Sequence, residues 1–282
     1  MRDTTRMAMF FAFCCATACG RAQGEPPRGE SSTGEQATAA QDGKRLVEEM
    51  LAKFKAEKIE VDLEHKTVTI PVVVNRQLQD PVEYLLIHRR GKRHEAIFYT
   101  ESQPSVLNGA LLMIGFEQGK NASVKDIEPP PTIEQIEQGA ETVIITPPAG
   151  KPFWMTVKWQ DAAGKTVEYC AEDMVLDLTT QEAVTDCSWV YLGGRMAQIY
   201  KNEPEVYVAD FEGNLISICY LLPDNHLGTM VHKDARDDQN WWLTDKVPPP
   251  GTELQFVFHA SKPELVEERE RRLAAEKEAA GK

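Results

Sequence analysis

The chain has 282 residues, with 31 basic against 44 acidic side chains and a net charge of −13. That balance lacks the basic footprint of a nucleic-acid binder, and anionic lipid repels a domain this acidic, so neither is an expected partner of the folded part. Residues 44–260 suffice for one generous domain or two small ones.

The N-terminus reads as an export signal. Arg2 and Arg6 supply a basic region, and an apolar run follows from Met7 through Cys15. The run falls short of the about 20 residues that a spanning helix needs, but it suits a signal peptide over residues 1–18. Small residues then lead into a cysteine, Ala16-Thr17-Ala18-Cys19-Gly20, which resembles a bacterial lipobox. That resemblance implies a lipidated Cys19 at the head of the mature chain. The usual Leu three positions before the cysteine is Ala16 here. Ala16 and Ala18 also satisfy an ordinary signal peptidase, which would release a soluble periplasmic or secreted protein. From Gly20 to Arg45 there is no Val, Ile, Leu, Met or aromatic residue. Such a segment cannot offset its ordering entropy, so residues 19–43 are expected as a disordered tether spanning roughly 25–30 Å. The expected location is the cell envelope, with the membrane reached through the lipid on Cys19.

Three cysteines follow Cys19, namely Cys170, Cys187 and Cys219. An odd count in an oxidising compartment permits one disulfide, expected between Cys170 and Cys187, with Cys219 as a buried thiol. They form no CxxC pair, so no iron–sulfur or thiolate zinc site is expected, and no other cofactor.

In chain order, Leu46, Val47, Met50, Leu51 and Phe54 recur at helical spacing and predict a helix over residues 44–58. Ile59, Val61 and Leu63, then Val68, Ile70, Val72 and Val74, alternate with other residues. They predict two strands joined by a turn at residues 64–66. Pro81 opens a strand over residues 82–88, expected to pair with residues 95–100 across the turn 89–94. Ser102 is read as the cap of a helix with Pro104 in its first turn and Gly115 at its end. In the second half, Phe153, Met155, Val157 and Trp159 share one strand face, and Asp161 to Gly164 turn the chain into residues 166–170. Further strands are expected at 188–192, 205–209, 215–221 and 254–258. Proline runs at 129–131, 147–148 and 248–250 fence these blocks. After Ala260 the composition shifts to Glu, Arg, Lys and Ala. Ser261 and Glu264 fit a capping box, and a charged, solvated helix is expected over 261–282. The fold class is α+β: a mostly antiparallel sheet or sandwich-like domain with two helices over 44–260, plus the charged C-terminal helix. Subdomains 44–128 and 139–260 are the alternative division.

The run Tyr84 to Glu95, YLLIHRRGKRHE, with Gln103 to Gly115, QPSVLNGALLMIG, resembles the YdjY-like domain of secreted bacterial proteins. Trp189 to Gly194, Tyr207 to Gly213 and Pro250 to Thr252 add to the likeness, which covers roughly residues 82–258. Gly194 stands where the family pattern has Ser. The resemblance implies a secreted β-rich domain and assigns no activity.

Two constellations carry candidate chemistry. His88, His94 and Glu95 flank a turn that also holds Arg89, Arg90, Lys92 and Arg93. The positive charge works against a cation and favours an anionic ligand held by His88, Arg90, Lys92 and Glu95. A hydrolase or metal-dependent enzyme using His94 and Glu95 is the alternative, and it requires both in one concave pocket. Strict alternation points His94 to the core with Ala96 and Phe98, and Glu95 outward. The second constellation is His226, His232, Asp234, Asp237 and Asp238 in a loop. Its spacing matches neither HExxH nor an EF-hand, so no metal site is expected. The chain therefore reads as an exported, lipid-anchored envelope protein. Its expected role is non-enzymatic binding of a small molecule, polysaccharide or partner protein.

Overall fold

The computed structural model describes residues 32–77 and 79–280. The signal segment, Cys19 and the first part of the tether lie outside the described residues. α1 runs from Ser32 to Ala56, so the helix expected from residue 44 starts earlier and takes in the end of the expected tether. Glu35, Gln36, Ala37, Ala39, Ala40 and Gln41 are strong helix formers, and propensity needs no apolar face. α1 belongs to one compact unit, and residues 56–282 form another. No helix among the described residues is long and apolar enough to cross a membrane.

The second unit begins with the expected hairpin, β1 (Glu60–Asp62) and β2 (Thr67–Val74), paired antiparallel. Asp62 Oδ1 accepts the backbone N–H groups of Glu64 and His65 at 2.9 Å each, which fixes the turn. β3 (Tyr84–His88), β4 (Ala96–Thr100) and α2 (Pro104–Met113) follow. Pro104 opens α2, and Gly115 takes φ 95° just beyond its end, as the sequence predicts. An excursion then carries β5 (Ser123–Asp126), α3 (Ile133–Glu137) and β6 (Val143–Thr146). β7 (Pro152–Gln160) and β8 (Thr166–Cys170) pair antiparallel. A 3₁₀ turn over Ala171–Met174 leads to β9 (Val175–Asp177) and β10 (Glu182–Ala183). β11 (Ser188–Tyr191), β12 (Met196–Ala197) and β13 (Val206–Tyr207) precede α4 (Val208–Glu212). The chain closes with β14 (Asn214–Ser217), β15 (Gly228–Val231), β16 (Trp241–Leu243), β17 (Glu253–His259) and α5 (Glu264–Ala280).

Eight strands close into a barrel in the order β2-β17-β7-β11-β15-β14-β3-β4, and β4 returns to β2 through Val73↔Tyr99 and Val74↔Phe98. Closure removes the edges that an open sheet would expose. The interior is filled by side chains, as expected at this strand number. Val68, Ile70, Val72 and Val74 of β2 are all buried. Phe256 packs with Phe258 at a centroid distance of 5.1 Å and with Phe98 at 6.1 Å.

This architecture corrects several expectations. The α+β, sheet-dominated class holds, but the sheet is a closed barrel rather than a sandwich, and the described residues hold four α-helices besides α5 rather than two. Strands from both proposed subdomains share one barrel, β3, β4 and β2 from the first and β17, β7, β11, β15 and β14 from the second. β3 and β4 are parallel, Tyr84↔Ala96 through His88↔Thr100, not a hairpin. So short a connection normally joins antiparallel neighbours, which is why the sequence misleads here. Residues 205–209 give two residues of strand and then α4, whose end is set by Gly213 at φ 79°. β15 was read as loop because four residues carry little periodicity.

The expected disulfide is also absent, and Cys170, Cys187 and Cys219 are free. Hydrogen bonds close the excursion between Cys170 and Cys187 instead. Trp189 Nε1 donates to Glu172 Oε1 at 2.6 Å, and Arg269 of α5 donates to Asp173 Oδ1 and to the Val184 carbonyl, both at 2.8 Å. Burial pushes both thiols up, Cys170 to about 12, with the neighbouring Glu172 adding to it.

α5 is therefore only half solvated. Its outer face carries the exposed pairs Arg271–Glu267 and Arg272–Glu276, while Val266 and Arg269 dock on the barrel unit. Lys246 still faces Asp173 at 3.6 Å when Arg269 is removed. Arg269→Ala should therefore cost about 3 kcal/mol, the low end for breaking a buried pair. Arg271→Ala should stay within about 0.5 kcal/mol. Urea unfolding midpoints of the two variants check the ranking.

Candidate functional site

The basic turn between β3 and β4 does not form one site. His88 ends β3 and is buried, with its backbone N–H on the Gly213 carbonyl at 2.7 Å. Its Nδ1 accepts from Arg90 Nε at 3.2 Å, and Arg90 Nη2 reaches the Asp210 carbonyl at 3.0 Å. Burial, aided by the Arg90 charge, lowers the His88 pKa. Glu95 sits at the other end of β3, where its carbonyl accepts the Glu83 N–H at 2.9 Å. Lys92 Nζ lies between two carboxylates, 3.1 Å from Glu95 Oε2 and 3.3 Å from Glu83 Oε2. Burial pushes the Glu83 carboxyl above its ordinary range, and Lys92 opposes that shift. The predicted group of His88, Arg90, Lys92 and Glu95 thus separates into two clusters, one at each end of β3.

The faces are the reverse of the expectation. Arg93-His94-Glu95 form a 3₁₀ turn, which breaks the period of two on which the assignment rested. The His94 side chain is 61% exposed and touches Glu95 Oε1 at 3.1 Å, whereas the Glu95 side chain is 24% exposed. The glycines of the motif have a steric reason. A Cβ on Gly91 would lie 2.9 Å from the Gly213 carbonyl oxygen, and one on Gly213 would lie 2.6 Å from Gly91 N. The turn passes backbone to backbone against the end of α4, which only glycine permits.

The second constellation also divides. His226 lies before β15 and is buried, with Nε2 lacking a hydrogen-bond partner, and burial lowers its pKa to about 4. His232 lies past the far end of β15, beside Asp234, and Asp177 of β9 joins them. Asp237 caps its own turn through Gln239 N at 2.8 Å, and Asp238 accepts from Gln239 Nε2 at 2.9 Å. Asp177 was missed because it lies far away in sequence.

A larger concavity lies elsewhere, between α5 and the strands β7 and β11. It holds about 460 Å³ and is lined by Trp154, Trp189, Cys187, Val266, Leu273 and Glu172, among others. Its rim charges are paired, Lys277 to Asp186 at 2.9 Å and Lys262 to Glu270 at 2.8 Å. The Glu172 carboxyl lines it from below. One oxygen accepts from Trp189, and the other, Oε2, is buried with no hydrogen-bond partner. Burial raises the Glu172 pKa, against the pull of a backbone N–H and the Arg269 charge. An oxygen so placed is open to an incoming hydrogen-bonding group.

A family model described as the YdjY domain matches residues 59–259, which span the barrel and its excursions. No curated protein and no solved structure matches the chain.

The geometry reverses the ranking of the two turn residues. Glu95→Gln removes a half-buried partner of Lys92 and should cost about 1 kcal/mol, discounted for its residual exposure. His94→Ala should remain within about 0.5 kcal/mol. Chemical denaturation of both variants decides it, and a larger loss for His94→Ala would put the imidazole inside.

Proposed function

Since the chain belongs to the YdjY domain family, we propose that it is an exported, lipid-anchored envelope protein that binds a ligand rather than transforming one. The ligand is a small molecule, partly apolar, with a hydrogen-bonding group. The observation that carries this reading is the groove under α5, where Glu172 Oε2 stands without a partner in an otherwise satisfied wall. Concave, mostly apolar sites with a few convergent polar groups are where small ligands bind. Trp154 supplies an aromatic wall, and the Lys262 ammonium lies 5.9 Å from its ring centroid.

The hydrolase reading of His94 and Glu95 has less support. Glu95 is engaged by Lys92, and neither residue lines the groove. Export and anchoring rest on Arg2, Arg6, the apolar run and the small residues before Cys19. Two acyl chains or more anchor stably where one is marginal, so Cys19→Ser should shift the protein from the membrane to the soluble fraction. A wild-type mature chain whose intact mass carries no lipid adduct would overturn the anchor.

The groove is tested with the neutral fluorophore N-phenyl-1-naphthylamine. The wild-type chain should bind it saturably. Ala274→Trp, which fills the groove from the exposed side of α5, should weaken binding by about tenfold or more, or about 1.4 kcal/mol. Its melting temperature should be unchanged. Equal binding by both proteins removes the groove as the site.

A further inference from the structure

We propose that Asp177, His232 and Asp234 bind a single divalent cation of the zinc class. The three residues arrive from separate parts of the fold: Asp177 ends β9, His232 follows β15, and Asp234 lies in the turn beyond it. One nitrogen or oxygen atom from each lies within 4.8 Å of those of the other two. None of the three side chains spans that gap with a hydrogen bond to another.

The site is built rather than incidental. Asp177 is 2% exposed and His232 6%. Asp177 Oδ1 is held by Asn240 Nδ2 and by the Thr179 N–H, both at 2.8 Å, which fixes the plane of the carboxylate. His232 Nδ1 accepts the Asp234 N–H at 3.2 Å, and its ring packs edge to face on Trp241 at 5.4 Å. The His232 carbonyl is tied down by the Tyr220 hydroxyl at 2.6 Å. The cation takes His232 Nδ1 in place of its 3.2 Å contact with the Asp234 N–H, which leaves Nε2 carrying the ring proton. Asp234 Oδ2 is buried without a hydrogen bond. Native proteins rarely leave such atoms unpaired, and an ion or ordered water is the usual reason.

Electrostatics and size point to the ion. Asp234 Oδ2 stands 4.0 Å from His232 Nδ1 and 3.4 Å from Lys233 Nζ. The Lys233 side chain is 74% exposed, so it can swing into solvent when a cation takes its place. Zinc–nitrogen and zinc–oxygen bonds near 2.0–2.2 Å set tetrahedral ligand atoms about 3.3 Å apart, so the triad contracts by about 1.5 Å at most. One imidazole with two carboxylates suits zinc better than calcium, which prefers an all-oxygen shell of six to eight ligands. Three protein ligands leave a fourth position for water. A cation here ties the excursion carrying β9 to the end of barrel strand β15.

The test is isothermal titration of the chelator-stripped full chain with Zn²⁺ alone. One equivalent should bind, and Co²⁺ in its place should give a visible ligand-field band without thiolate charge transfer. Asp177→Asn and His232→Gln should each weaken Zn²⁺ binding by about tenfold or more. Asp234→Asn, on the more exposed turn, should do the same while keeping the chelated melting temperature of the wild type. Asp62→Asn, which disrupts the exposed Asp62–His65 pair, should leave Zn²⁺ binding unchanged. Absence of Zn²⁺ binding overturns the site and leaves water as the bridge. Undiminished binding in all three triad variants, or loss only in Asp62→Asn, places the ion elsewhere and overturns it equally.

Discussion

The return of β4 to β2 is the constraint on which the rest of the structure depends. A ring of eight strands closes only if the chain direction reverses an even number of times around it. β14 and β15 are parallel, so a second parallel pair is obligatory, and β3–β4 supplies it. Given that, β4 can meet β2 antiparallel and complete the ladder at Val73↔Tyr99. The parallel pair that the local sequence disfavours follows from global closure.

Closure then dictates what the basic turn is for. Residues 89–95 must carry the chain back along β3 before β4 can start, with Arg89 N bound to the Thr100 carbonyl at one end and Glu83 N to the Glu95 carbonyl at the other. The turn manages this by passing Gly91 against Gly213 and by setting Lys92 between Glu83 and Glu95. A lysine between two half-buried carboxylates cancels charge that would otherwise repel across the strand start. The residues that carry the family likeness, the Gly-Lys and His-Glu of this turn and the Glu-Gly that ends α4, are thereby explained as architecture. Function is argued from sites and not from the fold that displays them.

What the sequence disclosed followed periodicity. The β1–β2 hairpin, β7, β8, β17, α2 and α5 were legible because each offers several turns of helix or several alternations. Gly115, Pro104 and the Asp161 to Gly164 turn were legible because their backbone chemistry is local. What stayed hidden was set by distant partners. β15 has four residues, and β3 is buried along all five, so its alternation cannot distinguish two faces. The face of His94 depended on a 3₁₀ turn that period-two reasoning cannot see. Of the site residues, His232 and Asp234 were visible as a group, but Asp177 joins them only through the pairing of β9 with β16. Glu172 gave no signal, since a lone Glu after a cysteine looks like any surface acid.

Of the seven buried side-chain atoms without a hydrogen bond among the described residues, three lie where the chain leaves the barrel, while Arg93 Nε, Glu95 Oε2, Asn214 Oδ1 and His226 Nε2 lie elsewhere. β2, β7 and β17 bury a continuous apolar interior, and the excursions beyond β8 and β15 carry Glu172 Oε2, Asp234 Oδ2 and Trp241 Nε1. A carboxylate oxygen buried without a partner costs free energy that a hydrogen-bond donor or a cation would recover. The segment from Glu172 to Asp177 touches both places, the first residue under the groove and the last in the triad. Asp173 between them is clamped by Arg269 of α5, the helix that roofs the groove. A group bound at either end therefore meets the same short piece of backbone.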